Sequence, residues 1–192
     1  MKISSSERKL NNKGFSLLEL IVTISVMLVL VGIAVATVAV LDSSYVQDAE
    51  RGIKDYVSMA RTKSMSVAAK DWYMSVSKED SDYYAYLYKV VEKKVEEGGV
   101  LVTKEEISLF EKKKLGAKLD IYFGNDTTSM TKVDDDNPLK IYFDPSTGKV
   151  KMVTVGSGSM DITSGIGYIK IVRNDYEAVL KVFYNTGKCE RE

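Results

Sequence analysis

Apolar residues fill one continuous segment near the start of the chain, residues 15–41. Glu19 is the only ionisable side chain within it, and no proline interrupts it. Because an α-helix rises about 1.5 Å per residue, this segment predicts a helix about 40 Å long, which is enough for one tilted membrane span. A carboxylate in such a segment is costly, so Glu19 indicates a function.

After this segment the pattern becomes one-sided. Over residues 42–69, apolar side chains recur at three- and four-residue spacing while charged residues occupy the other positions, as in an amphipathic helix. The apolar set is Val46, Ala49, Ile53, Tyr56, Val57, Ala60, Val67 and Ala68. Neither the Asp42-Ser43-Ser44 run nor Gly52 enforces a break. We therefore expect one helix over about residues 15–69.

Residues 70–192 carry the pattern of a β-rich head. Aromatic and β-branched residues predict strands at 72–76, 83–90, 119–123, 139–143, 149–155, 168–172 and 178–183, with a short terminal strand after Asn185-Thr186-Gly187-Lys188. Asp144-Pro145-Ser146-Thr147-Gly148 has the composition of a turn and predicts one hairpin. Arg173-Asn174-Asp175 predicts a second hairpin.

An insertion in the head has the sequence of a short helix. Thr103 and Glu106 have the spacing of a capping box, which predicts a helix near residues 103–115. Residues 90–99 fit either a charged strand end or a helix. The whole pattern predicts an α+β fold, in which a long N-terminal helix packs on an antiparallel β-sheet head.

The start of the apolar segment carries the most specific motif. A leader with basic residues Lys2, Arg8, Lys9 and Lys13 ends in Gly14-Phe15, and Glu19 is the fifth residue after Gly14. This arrangement resembles the class III signal of type IV prepilins and pseudopilins. The resemblance implies that a prepilin peptidase removes residues 1–14, that Phe15 becomes N-methylated and that Glu19 directs filament assembly.

Two departures from the family pattern favour a minor pilin or minor pseudopilin. Many major pilins have a helix-kinking proline in this segment, whereas this chain reads Gly32-Ile33-Ala34-Val35-Ala36. Many also close a C-terminal disulfide loop, which one cysteine cannot do. We interpret Cys189 as an incidental tail thiol rather than an intermolecular bridge.

Charge and composition limit the other functions. Lysine plus arginine and aspartate plus glutamate both number 27, and loss of the leader makes the chain about −3. A mildly acidic head has no general attraction for nucleic acid, and the basic leader indicates a cytoplasmic N-terminus with the head outside. No histidine is present, which argues against hydrolases, and we expect no enzyme and no cofactor.

Three further patterns have structural explanations as well as functional ones. Ser75 and Lys78 have the Ser-x-x-Lys spacing of penicillin-recognising enzymes, but Ser75 lies in a predicted strand. Residues 134–136, three aspartates, with Asn125 and Asp126 nearby in sequence, offer oxygen ligands to calcium or form a solvated turn. Tyr83, Tyr84, Tyr86 and Tyr88 fit a sheet face better than a binding platform.

Competing interpretations of the N-terminus explain less. A secretory signal peptide, with Ala34-Val35-Ala36 as its cleavage site, has a shorter apolar core and no internal charge. A plain membrane anchor leaves Glu19 without a role.

The leading hypothesis is a structural subunit of a type IV pilus or a type II secretion-like filament. Its partners are other subunits, the prepilin peptidase and, before assembly, membrane lipid. A competence or adhesive pilin whose head binds DNA or a surface is the alternative, and an anchored Ser/Lys enzyme is a distant third. The sequence does not distinguish between a pilus, a secretion pseudopilus and a DNA-uptake apparatus.

Overall fold

The computed structural model describes residues 16–66, 72–97 and 100–192. It divides into two compact units with the boundary between Val40 and Leu41. The described residues contain one α-helix, α1 (Leu17–Ser66), which crosses that boundary, and eleven β-strands. The fold is α+β, with an N-terminal helix packed on antiparallel sheets, as the pattern predicted.

Helix α1 begins where the chain supplies a cap. Ser16 precedes the helix and its Oγ accepts a hydrogen bond from the N–H of Glu19 at 3.3 Å, which is the bond an N-cap residue makes. The predicted helix reached residue 69, and residues 67–69 lie outside the described residues. Over the part of the chain that the structure describes, no helix is both long and apolar enough to cross a membrane.

The C-terminal part of α1 packs by the face that its spacing predicted. Val46, Ala49, Ile53, Val57 and Ala60 are all at most 3% exposed. Gly52 permits the closest approach, because a Cβ at this position would come within 2.7 Å of a methyl group of Leu115. Close packing of this stripe, rather than helix propensity alone, stabilises α1 in the head.

The strands form two antiparallel sheets. Their bounds are β1 (Trp72–Glu79), β2 (Asp82–Glu97), β3 (Val100–Ala117), β4 (Asp120–Gly124), β5 (Thr131–Val133), β6 (Leu139–Phe143), β7 (Val150–Val155), β8 (Gly158–Ser159), β9 (Ile166–Arg173), β10 (Tyr176–Phe183) and β11 (Lys188–Arg191). One sheet has the order β3-β2-β1-β6-β7-β8, and the other has the order β11-β10-β9-β4-β5. A single apolar core connects the buried stripe of α1 with both sheets.

The two predicted hairpins are present. β6 pairs with β7 through the Asp144 turn, and β9 pairs with β10 through the turn at Asn174. The alternating burial along β6, β9 and β10 follows directly from the period-two side-chain pattern of a strand. Turn composition and strand alternation, which are local features of the sequence, were enough to predict both hairpins.

The predicted helix near residues 103–115 is wrong. These residues belong to β3, an 18-residue strand that pairs along its length with β2. The capping-box spacing of Thr103 and Glu106 is a local preference, whereas β2 offers a continuous row of backbone partners to this segment. Tertiary pairing therefore overrides the local helix signal. Of the ambiguous segment before it, residues 90–97 are also extended, as the end of β2, and residues 98–99 lie outside the described residues.

The Asp144 turn provides a test of pH dependence. The hydroxyl and N–H groups of Ser146 and Thr147 all donate to Asp144 Oδ1, at 2.6 to 3.0 Å. These bonds, that of the Ser146 hydroxyl first, lower the pKa of Asp144 from its ordinary value of 3.8 to about 2.

Because this pKa is depressed, the stabilisation is present above the ordinary pKa and is lost as pH falls through about 2. We expect Asp144→Ala to unfold more easily than the wild type at pH 7, and the difference to shrink between pH 4 and pH 2. The difference in stability is measured by thermal unfolding of the full chain in detergent at several pH values between 2 and 7. Asp135→Ala, which alters an exposed loop aspartate, is the control. A pH-independent difference would contradict the assignment.

Candidate functional site

The site predicted at the N-terminus is described from Ser16 onward. Gly14, Phe15 and the basic leader lie outside the described residues. Glu19 occupies the first turn of α1, where its N–H is capped by Ser16 Oγ and the N–H of Leu20 donates to Ser16 O at 3.1 Å. A carboxylate in the first helical turn also lies favourably in the helix dipole. The cap holds the Glu19 backbone and leaves its carboxylate available for another partner.

The surface around Glu19 is apolar. Leu17, Leu18, Met27 and Leu28 are among the exposed side chains of this helix segment, each at least 66% exposed. The hydroxyls that interrupt the segment bond to the helix itself. Thr23 and Ser25 donate to carbonyls one turn back at 2.8 Å, and Thr37 does so at 2.9 Å. No described residue forms an ion pair with Glu19. The helix thus presents an apolar surface with one carboxylate near its start.

The Ser-x-x-Lys pair of the head has no nucleophile geometry. Ser75 lies in the middle of β1 and is 4% exposed, between Tyr86 and Lys140 in the strand register. Lys78 Nζ lies 5.7 Å from the ring centroid of Tyr83. A buried strand serine cannot approach a substrate, so this observation argues against an anchored Ser/Lys enzyme.

The aspartates at 134–136 close a turn. The carboxylate of Asp134 accepts bonds from the backbone N–H of Asn137 at 2.7 Å and from its side-chain amide at 3.1 Å. Asn125 bonds instead to Tyr184 and to the carbonyl of Asp161. Among the described residues no group of three or more acidic, histidine or cysteine side chains is arranged to hold a metal ion.

Tyr84, Tyr86 and Tyr88 of β2 form part of a cluster of rings on the sheet, whereas Tyr83 is fully buried in the core and its hydroxyl donates to the carbonyl of Val133 at 2.6 Å. Tyr73 is buried between Tyr88 and Tyr142, with ring centroids 5.0 and 4.5 Å away. Burial raises the pKa of Tyr73 above its ordinary value. The rings stack on one another, so their faces are already occupied. This agrees with the interpretation of Tyr84, Tyr86 and Tyr88 as a sheet face and disfavours a platform for bases or sugars, while Tyr83 belongs to the core instead.

Many lysines of the head are paired with acids. Lys112, Lys132 and Lys170 each lie 2.6 Å from a carboxylate oxygen, those of Glu79, Asp120 and Glu177. Lys114 pairs with Asp82, and Lys181 pairs with Glu192. Positive and negative side chains are therefore interspersed over these described parts of the sheets. A protein that binds nucleic acid instead presents a continuous basic stripe.

Sequence reasoning missed an ion-pair cluster at the start of the head. Asp42, interpreted only as part of a possible helix break, is 7% exposed. Its two oxygens accept hydrogen bonds at 2.6 Å from Arg173 Nε and from the side-chain amide of Asn174. These bonds, that of Arg173 first, hold the pKa of Asp42 below its ordinary value. Arg173 also bonds to the carbonyl of Ala117 and lies over the ring of Tyr45.

This cluster joins α1 to the turn between β9 and β10. A signal was available, because Asp42, Val46, Ala49 and Ile53 follow one helical stripe. A charged residue at a core-facing position predicts a buried partner. Glu50 is a second buried acid of α1 that is paired with a strand arginine. It is 9% exposed, and its Oε2 lies 3.5 Å from Nη1 of Arg191 in β11.

The interpretation of Cys189 as an incidental tail thiol is wrong. Cys189 lies in β11, is 7% exposed and belongs to the apolar core. Burial raises the pKa of its thiol to about 12. A protonated, buried thiol is unsuited to disulfide exchange with another chain.

Residues 9–35 match the family model described as the prokaryotic N-terminal methylation motif. This motif is the class III signal of type IV pilins and pseudopilins, as the leader junction predicted. No curated protein and no solved structure matches the chain. The match covers the junction and the first part of the apolar segment, and the head lies outside it.

Proposed function

Because residues 9–35 carry this signal, we propose that the chain is a prepilin whose mature form is a minor subunit of a type IV pilus or a type II secretion-like filament. Prepilin peptidase cuts it after Gly14, and the new N-terminal Phe15 is methylated. The observation that carries the proposal is the methylation motif at the start of a 50-residue helix whose C-terminal part packs on a β-rich head.

The exposed apolar helix surface supports an assembly role. Before assembly its side chains contact lipid and anchor the subunit in the cytoplasmic membrane. In the filament they contact the helices of other subunits, so one apolar environment replaces another. The head lies outside the cytoplasm, as the basic leader indicates.

Glu19 couples assembly to processing. An unpaired carboxylate in a bundle of apolar helices is strongly unfavourable. The α-amine of Phe15 on a neighbouring subunit neutralises it, and that amine exists only after cleavage at Gly14. Unprocessed chains therefore lack the counter-charge and stay out of the filament.

The minor-subunit assignment rests on what the chain lacks and on where its cysteine lies. No proline occurs in residues 15–41, and the sole cysteine is buried in the core. The alternative of a DNA-binding head is disfavoured by the pairing of lysines with carboxylates on the described sheets.

Mass spectrometry of the mature protein tests the proposal. We expect loss of residues 1–14 and a new N-terminus at Phe15 that carries a methyl group. Gly14→Val, which alters the residue before the cut, is expected to leave the full-length chain unprocessed. An N-terminus at Thr37, or an uncut leader in cells with an active prepilin peptidase, would overturn the assignment.

A further inference from the structure

A small cavity with a mainly basic lining lies between α1 and β11. It has a volume of about 330 Å³ and is lined by side chains of α1 and by residues 187–190. Lys54, Arg61 and Lys188 contribute three positive charges to the lining, and Glu190 contributes one negative charge. The lining therefore has an excess of two positive charges. We call this cavity, defined by these four charged residues, the basic groove.

The cations of the basic groove are available to a ligand from outside the chain. Within the part of the chain that the structure describes, neither Lys54 nor Lys188 forms an ion pair, and both are exposed. Arg61 Nε donates to the carbonyl of Gly148 at 3.2 Å, and Arg61 Cδ packs on Gly187. The guanidinium is thus held in place while its other nitrogens stay free. An arginine that is fixed in this way loses little side-chain entropy when it binds a carboxylate.

Two exposed carboxylates of the same chain match this excess of positive charge. They belong to the turn before β6, in which Asp134 accepts a hydrogen bond from the N–H of Asn137 at 2.7 Å. The next two residues, Asp135 and Asp136, are exposed, and neither has a hydrogen-bond or ion-pair partner among the described residues. We call Asp135 and Asp136 the acidic tip. Opposite charges on two surfaces favour a specific contact between them.

The basic groove and the acidic tip cannot meet within one chain. The groove lies beside β11, and the tip follows β5. β11 and β5 are the two opposite edges of a five-stranded sheet. Four strand spacings separate such edges, which is about 19 Å. A contact between the groove and the tip therefore requires two copies of the chain.

We propose that the basic groove of one copy of this chain binds the acidic tip of a second copy. The carboxylates of Asp135 and Asp136 then neutralise the excess charge of Lys54, Arg61 and Lys188. A single exposed ion pair contributes little to binding, whereas several charges that meet in one cavity form a network and contribute more.

The position of the two surfaces determines the symmetry of this contact. Each copy uses its basic groove toward one neighbour and its acidic tip toward another, so the contact is heterologous. Heterologous contacts repeat by one rotation and translation from each copy to the next, which is the symmetry of a filament. Given the proposed function, the contact joins neighbouring subunits of one filament. Two adjacent copies are enough for it, so it is compatible with a minor subunit.

A charge exchange in the full chain, solubilised in a neutral detergent, tests the proposal. The groove variant carries Lys54→Glu and Lys188→Glu, and the tip variant carries Asp135→Lys and Asp136→Lys. Each variant alone sets like charges against each other, so we expect its association to be at least about tenfold weaker in sedimentation equilibrium than that of the wild type. A one-to-one mixture restores opposite charges in both directions and is expected to associate as the wild type does. This rescue excludes misfolding as the cause of the loss.

A matched control reverses one lysine and one aspartate outside these two surfaces. Lys140→Glu with Asp175→Lys alters β6 and the turn between β9 and β10, and we expect it to associate as the wild type does. A wild type that stays monomeric, a groove or tip variant that associates alone, or a mixture that stays apart would overturn the proposal. Retention of duplex DNA by the wild type but not by the groove variant, without association of copies, would assign the groove to nucleic acid instead.

Zero-length cross-linking identifies the residues in contact. A carbodiimide joins a lysine amine to a carboxylate that touches it, and a mixture of isotope-labelled and unlabelled chains shows by mass spectrometry which links connect two copies. We expect such links from Lys54 or Lys188 to Asp135 or Asp136. Links from the same lysines to the exposed Asp175 at equal yield would contradict the proposal. Neither measurement uses processing or filament entry, so failure here is distinct from failure of the proposed function.

Discussion

Glu19→Ala is expected to yield a protein that is processed normally and is absent from filaments. Gly14 and Phe15 are unchanged, so cleavage persists. Loss of the carboxylate makes the helix more apolar, so membrane association is unchanged or stronger. What is lost is the counter-charge for the α-amine of Phe15 on a neighbouring subunit, which is then left unpaired in an apolar bundle. The measurement compares the amount of Glu19→Ala protein in sheared filaments with its amount in the membrane fraction.

Two control variants separate the carboxylate from the helix cap. Ser16→Ala removes the oxygen that caps the Glu19 N–H and costs about 1 kcal/mol of helix stability, but it keeps the charge. We expect this variant to enter filaments. Glu19→Gln keeps the shape and removes the charge, so we expect it to behave as Glu19→Ala does. Entry of Glu19→Ala into filaments at the wild-type level would refute the pairing mechanism.

Gly187→Ala is expected to destabilise the head by about 3 kcal/mol or more, which corresponds to a fall in Tm of roughly 10 °C. Gly187 has a φ of +64°, in the left-handed region that favours glycine. A Cβ there would overlap the carbonyl oxygen of Gly148 and come within 3.2 Å of the Phe143 ring. That carbonyl is held by Arg61 Nε at 3.2 Å, so the Asp144 turn cannot move away freely.

Gly158→Ala is the matched control for this substitution. Gly158 lacks a positive φ, and the nearest atom to a Cβ there is the carbonyl oxygen of Val155 at 3.5 Å. We expect its thermal unfolding in detergent to stay close to that of the wild type. If both variants melt at the wild-type temperature, the packing of the last turn against the Asp144 turn is looser than described.

The sequence by itself determined the features that depend on neighbouring residues. The leader junction is a linear motif, so Gly14, Phe15 and Glu19 could be picked out without any knowledge of the fold. The buried stripe of α1 follows from helical periodicity, because Val46, Ala49 and Ile53 repeat at the spacing of one face. The hairpin at Asp144 follows from turn composition between two alternating strands.

Only the tertiary structure decided the features that depend on distant residues. Residues 103–115 became a strand because β2 supplies partners to all of them except Phe110 and Leu115, where the register shifts, and this pairing outweighs a local capping signal. Asp42 became a buried ion pair because Arg173, 131 residues away in sequence, meets it across the head. Cys189 joined the core because β11 pairs with β10. Charge, burial and strand partner at these positions are set by long-range contacts, which no local pattern of residues encodes.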